Sequence, residues 1–364
     1  MMRISFLLLA LCLTQMERPV LAQSISESQT LAKMSASAVA GQTARKSRKK
    51  LTKKPSRKKA VEQVVAAPVA PAQEAAVPEA PVQTVSLAKA ITTGMDKVPA
   101  KNLFGAHRLP TDQAPRAIGS YANGCMSGAR ALPIDGPAWQ VMRLSRNRNW
   151  GHPAVVSLVE RLAVEAKERD GWNGLLVGDL SQPRGGPMLS GHASHQIGLD
   201  ADIWLNPMPN RTLTAKEREE IQGRIVVKDR KNIDPNIWTE AHARLIKRAA
   251  SYPEVARIFV HPPIKASLCK WAKGDRSWLA KVRPYFGHNY HFHIRINCPK
   301  GSTKCKNQAR ASPPDGTGCG NELSYWLGEK PWPRPDPKPR KPPPERHLTL
   351  KSLPGECRAV VTAQ

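Results

Sequence analysis

"GHASHQIGLDADIWL", residues 191–205, changes character at Gly198. Past that glycine, strand alternation puts Leu199, Ala201, Ile203 and Leu205 on one face and Asp200, Asp202 and Trp204 on the other. A second segment, "YHFHIRI" (290–296), obeys the same arithmetic. Tyr290, Phe292, Ile294 and Ile296 share a face, while His291, His293 and Arg295 share the opposite one. Both segments read as strands with an apolar side for a core and a polar side carrying candidate ligands. A core histidine stands more often singly on an apolar face. Here five of the chain's ten histidines gather in 191–204 and 288–296.

The flanking sequence supplies the rest of a domain. "HPAVVSLVERLAVEAKER" (152–169) has proline near its start and apolar residues at Val155, Val159, Leu162 and Ala166, a helical stripe. "GLLVGDLS" (174–181) reads as a short strand, "TEAHARLIKRAAS" (239–251) as a helix, "VARIFVH" (255–261) as a buried strand and "DRSWLAKVR" (275–283) as a short helix. Helices and strands mix without a regular βαβ rhythm. The expected class is therefore α+β, with a mainly antiparallel central sheet flanked by helices.

Composition divides the chain into four parts. Residues 1–22 pair a positive start with the apolar run "ISFLLLALCL" and end in small residues, the pattern of a secretory signal peptide. No later segment is long and apolar enough for a membrane helix. Residues 23–100 carry a lysine block, "RKSRKKLTKKPSRKK" (45–59), and the Ala/Val/Pro run "VVAAPVAPAQEAAVPEAPVQ" (64–83), a disordered linker by composition. Residues 101–330 make one catalytic-sized domain, and 331–364 a Pro-rich tail. Net charge is +27, and removing the ten basic residues of the lysine block still leaves +17. Such a field attracts anions. Behind an export signal the expected partner is an anionic wall or membrane face rather than nucleic acid, or the charge serves solubility alone. Oligomeric state is not legible.

Cys12 lies in the signal, leaving Cys125, Cys269, Cys298, Cys305, Cys319 and Cys357. An even set in an exported chain argues for three disulfides, with fifteen pairings open.

Catalytic zinc takes three protein ligands, imidazoles and often a carboxylate, and keeps an open position. His195, Asp202 and His293 supply that set, with Gly198 letting the chain bend between the first two and His291 beside them. No H-E-x-x-H helix is present. From the residues alone, a histidine-lined acid–base site without metal and a purely structural cluster stay open beside the metal site.

"GHASHQIGLDADIW", "VARIFVHPPIKASLC" and "VRPYFGHNYHFHIRINCP" together resemble the penicillin-insensitive murein endopeptidases, within the wider group of lysostaphin-type and D-Ala-D-Ala zinc metallopeptidases. The resemblance covers about residues 101–330. It implies His195, Asp202 and His293 as zinc ligands, His192 as an additional ligand, His291 as general base and His288 as an assisting group. A second metal position of that family falls nearest Asp229, followed here by Asn232, so one zinc is expected and Asp229 is carried as the candidate for another. Arg184, before a glycine turn, is a candidate substrate contact. The resemblance also implies the pairings Cys125–Cys357, Cys269–Cys319 and Cys298–Cys305. The activity it implies is periplasmic hydrolysis of D-Ala–meso-diaminopimelate cross-links in peptidoglycan. Competing readings are a metallo-carboxypeptidase or dipeptidase trimming stem peptides, and a non-catalytic basic wall-binding protein.

Overall fold

A computed structural model of the 364-residue chain describes residues 94–332 and 347–363. The expected signal peptide, the lysine block, the Ala/Pro run and residues 333–346 of the Pro-rich tail lie outside the described residues. Among the described residues no helix is long and apolar enough to cross a membrane.

The fold begins with helix α1 (Ala100–Gly105), the hairpin β1 (Arg116–Ser120) and β2 (Asn123–Ser127), and the short strands β3 (Arg130–Ala131), β4 (Asp135–Gly136), β5 (Trp139–Val141) and β6 (Trp150–Gly151). Helix α2 (Pro153–Arg169) follows. It starts where expected because His152 caps it, accepting from the Ala154 amide at 3.1 Å, with Pro153 in the first turn. Then come β7 (Leu175–Val177), β8 (Asp200–Pro207), α3 (Ala215–Glu220), α4 (Glu240–Ser251), β9 (Val255–Val260), α5 (Pro262–Trp271), β10 (Val282–Pro284), β11 (His291–Ile296), α6 (Asn321–Leu327) and α7 (Glu356–Thr362).

Seven strands join in the order β10-β9-β11-β8-β7-β5-β4. The class is α+β, as read, but the sheet is mixed. Pairs β9–β11, β11–β8, β8–β7 and β5–β4 are antiparallel, while β10–β9 and β7–β5 are parallel. The segment 275–283, read as one short helix, splits. A 3₁₀ turn spans Ser277–Lys281, and Val282–Pro284 is drawn into the sheet edge beside Ile258–Val260. Strand hydrogen bonds there outweigh a weak local helix preference.

The two decisive segments are neighbouring strands at the sheet centre. His293 lies opposite Asp202, Arg295 opposite Asp200, and His291 opposite Trp204. Their apolar sides (Leu199, Ala201, Ile203, Phe292, Ile294) are fully buried with Val155, Val159 and Leu162 of α2 and Leu245 and Ile246 of α4. Burial of each of the larger side chains, Val, Leu, Ile or Phe, is worth about 1.5–3 kcal/mol. Arg248 locks the two helices together through Asp170 and Glu165.

A second cluster gathers Phe104, Ile118, Leu350, Leu353, Val360 and Val361 around the Cys125–Cys357 disulfide. Residues 347–363 therefore pack onto the domain. The other two disulfides are Cys269–Cys319 and Cys298–Cys305, so all three pairings implied by the resemblance are present.

Candidate metal centre

The polar side of β8 and β11 is buried, unlike an ordinary solvated sheet face. Asp202 is 4% exposed, His293 4% and His291 5%. Asp202 is held at its backbone: its amide donates to Asp179 O (3.0 Å) and its carbonyl accepts from Gly178 (2.8 Å). His195 reaches it from the loop before β8. Its φ is +67, a left-handed conformation costly for a residue with a Cβ. Three contacts hold it there. Its amide donates to Asp200 Oδ2 (2.9 Å), its carbonyl accepts from Ser181 Oγ (2.6 Å), and Nδ1 contacts the Leu180 carbonyl. Gly198 then turns the chain at φ +65, where a Cβ would lie 2.1 Å from Met126 Sδ.

With Nδ1 of His195 committed to a carbonyl, Nε2 faces Asp202 Oδ1 at 3.5 Å. His293 Nδ1 lies 3.2 Å from the same oxygen, and its Nε2 lies 3.0 Å from Asp200 Oδ1. His192 Nε2 stands 3.5 Å from Asp202 Oδ2 and 3.1 Å from Asp179 Oδ2. Donor atoms of His192, His195 and Asp202 all lie within 4.8 Å of one another. His291 Nε2 is 3.7 Å from Asp202 Oδ1. Thus His192, His195, Asp202, His293 and His291 come together from three stretches of chain.

Outer groups orient these side chains. Arg295 binds Asp200 through Nε (2.8 Å) and Nη2 (3.2 Å), and Asp200 in turn faces His293. Burial pushes the Asp200 carboxyl upward, but Arg295 and then His293 hold it far below the usual range. Asp179 meets His192 at Nε2, the same nitrogen that faces Asp202. Burial opposes its charge, yet His192 and Arg148, at 2.9 Å, keep it down at about 2. Imidazole backed by a carboxylate or carbonyl on its far nitrogen is the usual arrangement around a metal ligand.

Among the described residues, buried His195 Nε2, Asp202 Oδ1 and His291 Nδ1 find no hydrogen-bond partner. An orphaned buried polar atom costs roughly 1–3 kcal/mol. His195 Nε2 and Asp202 Oδ1 face each other at 3.5 Å and fit a bound cation, and imidazole with carboxylate suits a divalent transition ion. Beside them lies a groove of about 440 Å³, lined in part by His192, Asp202, His291, Tyr290 and Trp204.

His291 and His288 flank the centre with ring centres 5.0 Å apart. Burial lowers the pKa of both, that of His288 to about 3 with His291 and His293 adding to the effect, so both rings are neutral near pH 7.

Two other residues sit elsewhere. Asp229 is exposed, and its carboxylate closes its own turn, accepting from the amides of Lys231 (2.8 Å) and Asn232 (2.9 Å) and from Asn232 Nδ2. Arg184 is no substrate contact. It is buried and its guanidinium donates to the carbonyls of Leu109, Val360, Val361 and Ala363, closing the C-terminal end of α7. Asp179, Asp200, Arg148 and Arg295 were not assigned site roles from sequence. Asp200 and Arg295 were visible there on the polar faces, and Asp179 as an acid closing an apolar run.

Residues 117–362 match the family of penicillin-insensitive murein endopeptidases. A protein of Haemophilus influenzae with that description is 49% identical over 239 residues, spanning 65% of this chain and 82% of its own. One of Klebsiella pneumoniae is 42% identical over 253 residues (69% and 88%). One of Pectobacterium atrosepticum is 40% identical over 278 residues (76% and 95%).

Proposed function

The chain belongs to the penicillin-insensitive murein endopeptidase family, and from that membership we propose a periplasmic zinc enzyme that cleaves D-Ala–meso-diaminopimelate cross-links with water as nucleophile. The observation that carries the metal reading is the set of orphaned, buried donor atoms around Asp202. His195, Asp202 and His293 would hold the ion, with His192 as an added ligand. Bound zinc supplies Lewis acidity that polarises the scissile carbonyl and makes water nucleophilic near neutral pH.

The residues around it handle protons. His291, neutral and buried, accepts the proton released as the water oxygen bonds to the carbonyl carbon. The same proton then passes to the diaminopimelate amine as the carbon–nitrogen bond breaks. His288 Nδ1 lies 2.9 Å from the Phe286 carbonyl and so donates there, leaving Nε2 bare while the ring is neutral. It stays neutral and assists by flanking His291, with ring centres 5.0 Å apart. No serine or cysteine acylates, which suits insensitivity to an acylating inhibitor. The excess of positive charge suits docking to an anionic wall or membrane face.

Digestion of purified sacculi tests the reading. Cross-linked dimers are expected to yield monomers, and a chelator to stop the reaction. Loss of terminal D-Ala alone would indicate a stem-peptide carboxypeptidase, and no turnover at all a wall-binding protein.

A further inference from the structure

Three arginines approach the groove, and they are not alike. Arg148 is buried, with Nη1 on Asp179 (2.9 Å) and Nη2 on the Ser190 carbonyl (2.9 Å). Arg143 spends its guanidinium on the carbonyls of Arg218, Glu219 and Ile221 and lies 5.3 Å over the Trp204 ring. Arg146 is different. Its side chain is 47% exposed, it lines the groove with His192, Asp202 and His291, and its one partner among the described residues is Asp179, reached by Nη1 at 3.2 Å. Nη2 and Nε remain free for a ligand.

The turn that carries Arg146 is built at a conformational cost. Arg143 (φ +58) and Asn147 (φ +52) bracket Leu144–Arg146, and with His195 (φ +67) they are the only left-handed non-glycine residues among the described ones. All three belong to the groove or its frame. Strain of roughly 1–3 kcal/mol per residue persists only where surrounding contacts enforce it. Here Glu219 binds Ser145 through both amide and hydroxyl, and Asn147 is held by the Arg108 carbonyl and Trp150 Nε1. The effect is to fix a half-exposed guanidinium beside the reacting centre.

We propose that Arg146 binds a substrate carboxylate, the one on the diaminopimelate carbon that bears the leaving amine. The inference rests on the cross-link reading above. In a D-Ala–meso-diaminopimelate bridge that carbon carries a free carboxylate, which places an anion two bonds from the scissile nitrogen. A guanidinium fork with two free nitrogen positions matches a carboxylate in geometry and charge. Asp179 does not cancel it, because Arg148 and His192 share the same carboxylate. Arg146 is thus a substrate-binding and specificity-determining group, distinct from the proton-handling histidines.

The test uses two cross-linked muropeptide dimers, identical except that this carboxylate is free in one and amidated in the other. The wild-type protein is expected to favour the free acid by about 10- to 100-fold in kcat/KM, mostly through KM. In Arg146→Ala that ratio falls to about one, and Arg146→Lys restores part of it. Matching thermal midpoints for the three proteins separate recognition from folding. An unchanged ratio in Arg146→Ala, or a wild-type ratio near one, overturns the role of Arg146 while leaving the cross-link reading intact. Failure of the wild type to cleave either dimer overturns both.

Discussion

Arg184 and Asp202 are both buried charges, 5% and 4% exposed, yet their surroundings differ in kind. Four backbone carbonyls receive the Arg184 guanidinium, and the nearby Cys125–Cys357 bridge ties β2 covalently to α7. Around Asp202 the supporting groups are satisfied but the centre is not. Asp200 and the Leu180 carbonyl lie on the far sides of His293 and His195, while Asp202 Oδ1 and His195 Nε2 are left without partners. A buried polar group whose every bond is made stabilises a shape. One whose outer bonds are made and inner bonds are open is set to take a ligand.

That contrast breaks first at the clasp. Removing the bridge with paired Cys125→Ala and Cys357→Ala changes is expected to cost up to about 5 kcal/mol in urea unfolding, because the pair closes a 232-residue loop. Arg184→Ala should cost less, about 2–3 kcal/mol, by leaving buried carbonyls without a donor. In both proteins metal content and cleavage per folded molecule should persist. Loss of metal at full stability would erase the distinction between the two regions.

The smallest effect sharpens it through pH. Lys265 is fully buried and donates to the carbonyls of Leu279 and Thr317, each at 2.7 Å, the same solution that Arg184 uses. Burial, with Arg283 nearby, drives its pKa down to about 7. The unfolded chain keeps an ordinary lysine near pKa ~10.4. Between these values the unfolded state binds a proton that the folded state lacks, so stability rises with pH by up to about 1.4 kcal/mol per unit. Below the folded pKa the cost is constant. Urea midpoints of wild type and Lys265→Met at about pH 6 and pH 9 should therefore diverge in slope, the variant lacking this rise. Parallel curves would show that the two carbonyls keep the lysine charged.

Much of this was legible beforehand for a simple reason. A strand of period two declares its faces directly, so Leu199–Leu205 and Tyr290–Ile296 could be sorted by side from order alone, and pairing of β8 with β11 brings the two polar faces together. Helix α2 likewise announced itself by its proline start and apolar stripe. What stayed hidden depends on long-range closure. Arg184 finds three of its four carbonyls 176 to 179 residues away at the end of α7, and nothing in "QPRGG" points there. Asp179 becomes a partner of His192 only when the loop after β7 folds across β8. The parallel edge strand β10 is three residues long, too short to show a period.

Metal content of wild type and His293→Ala, measured by elemental mass spectrometry on samples matched in circular dichroism, bears most closely on the centre. Close to one ion per chain in the wild type (~1) and little in the variant is expected, with cleavage of a cross-linked dimer falling about a thousandfold. A His293→Ala protein that keeps both its metal and its cleavage rate would contradict the ligand set built on His195, Asp202 and His293.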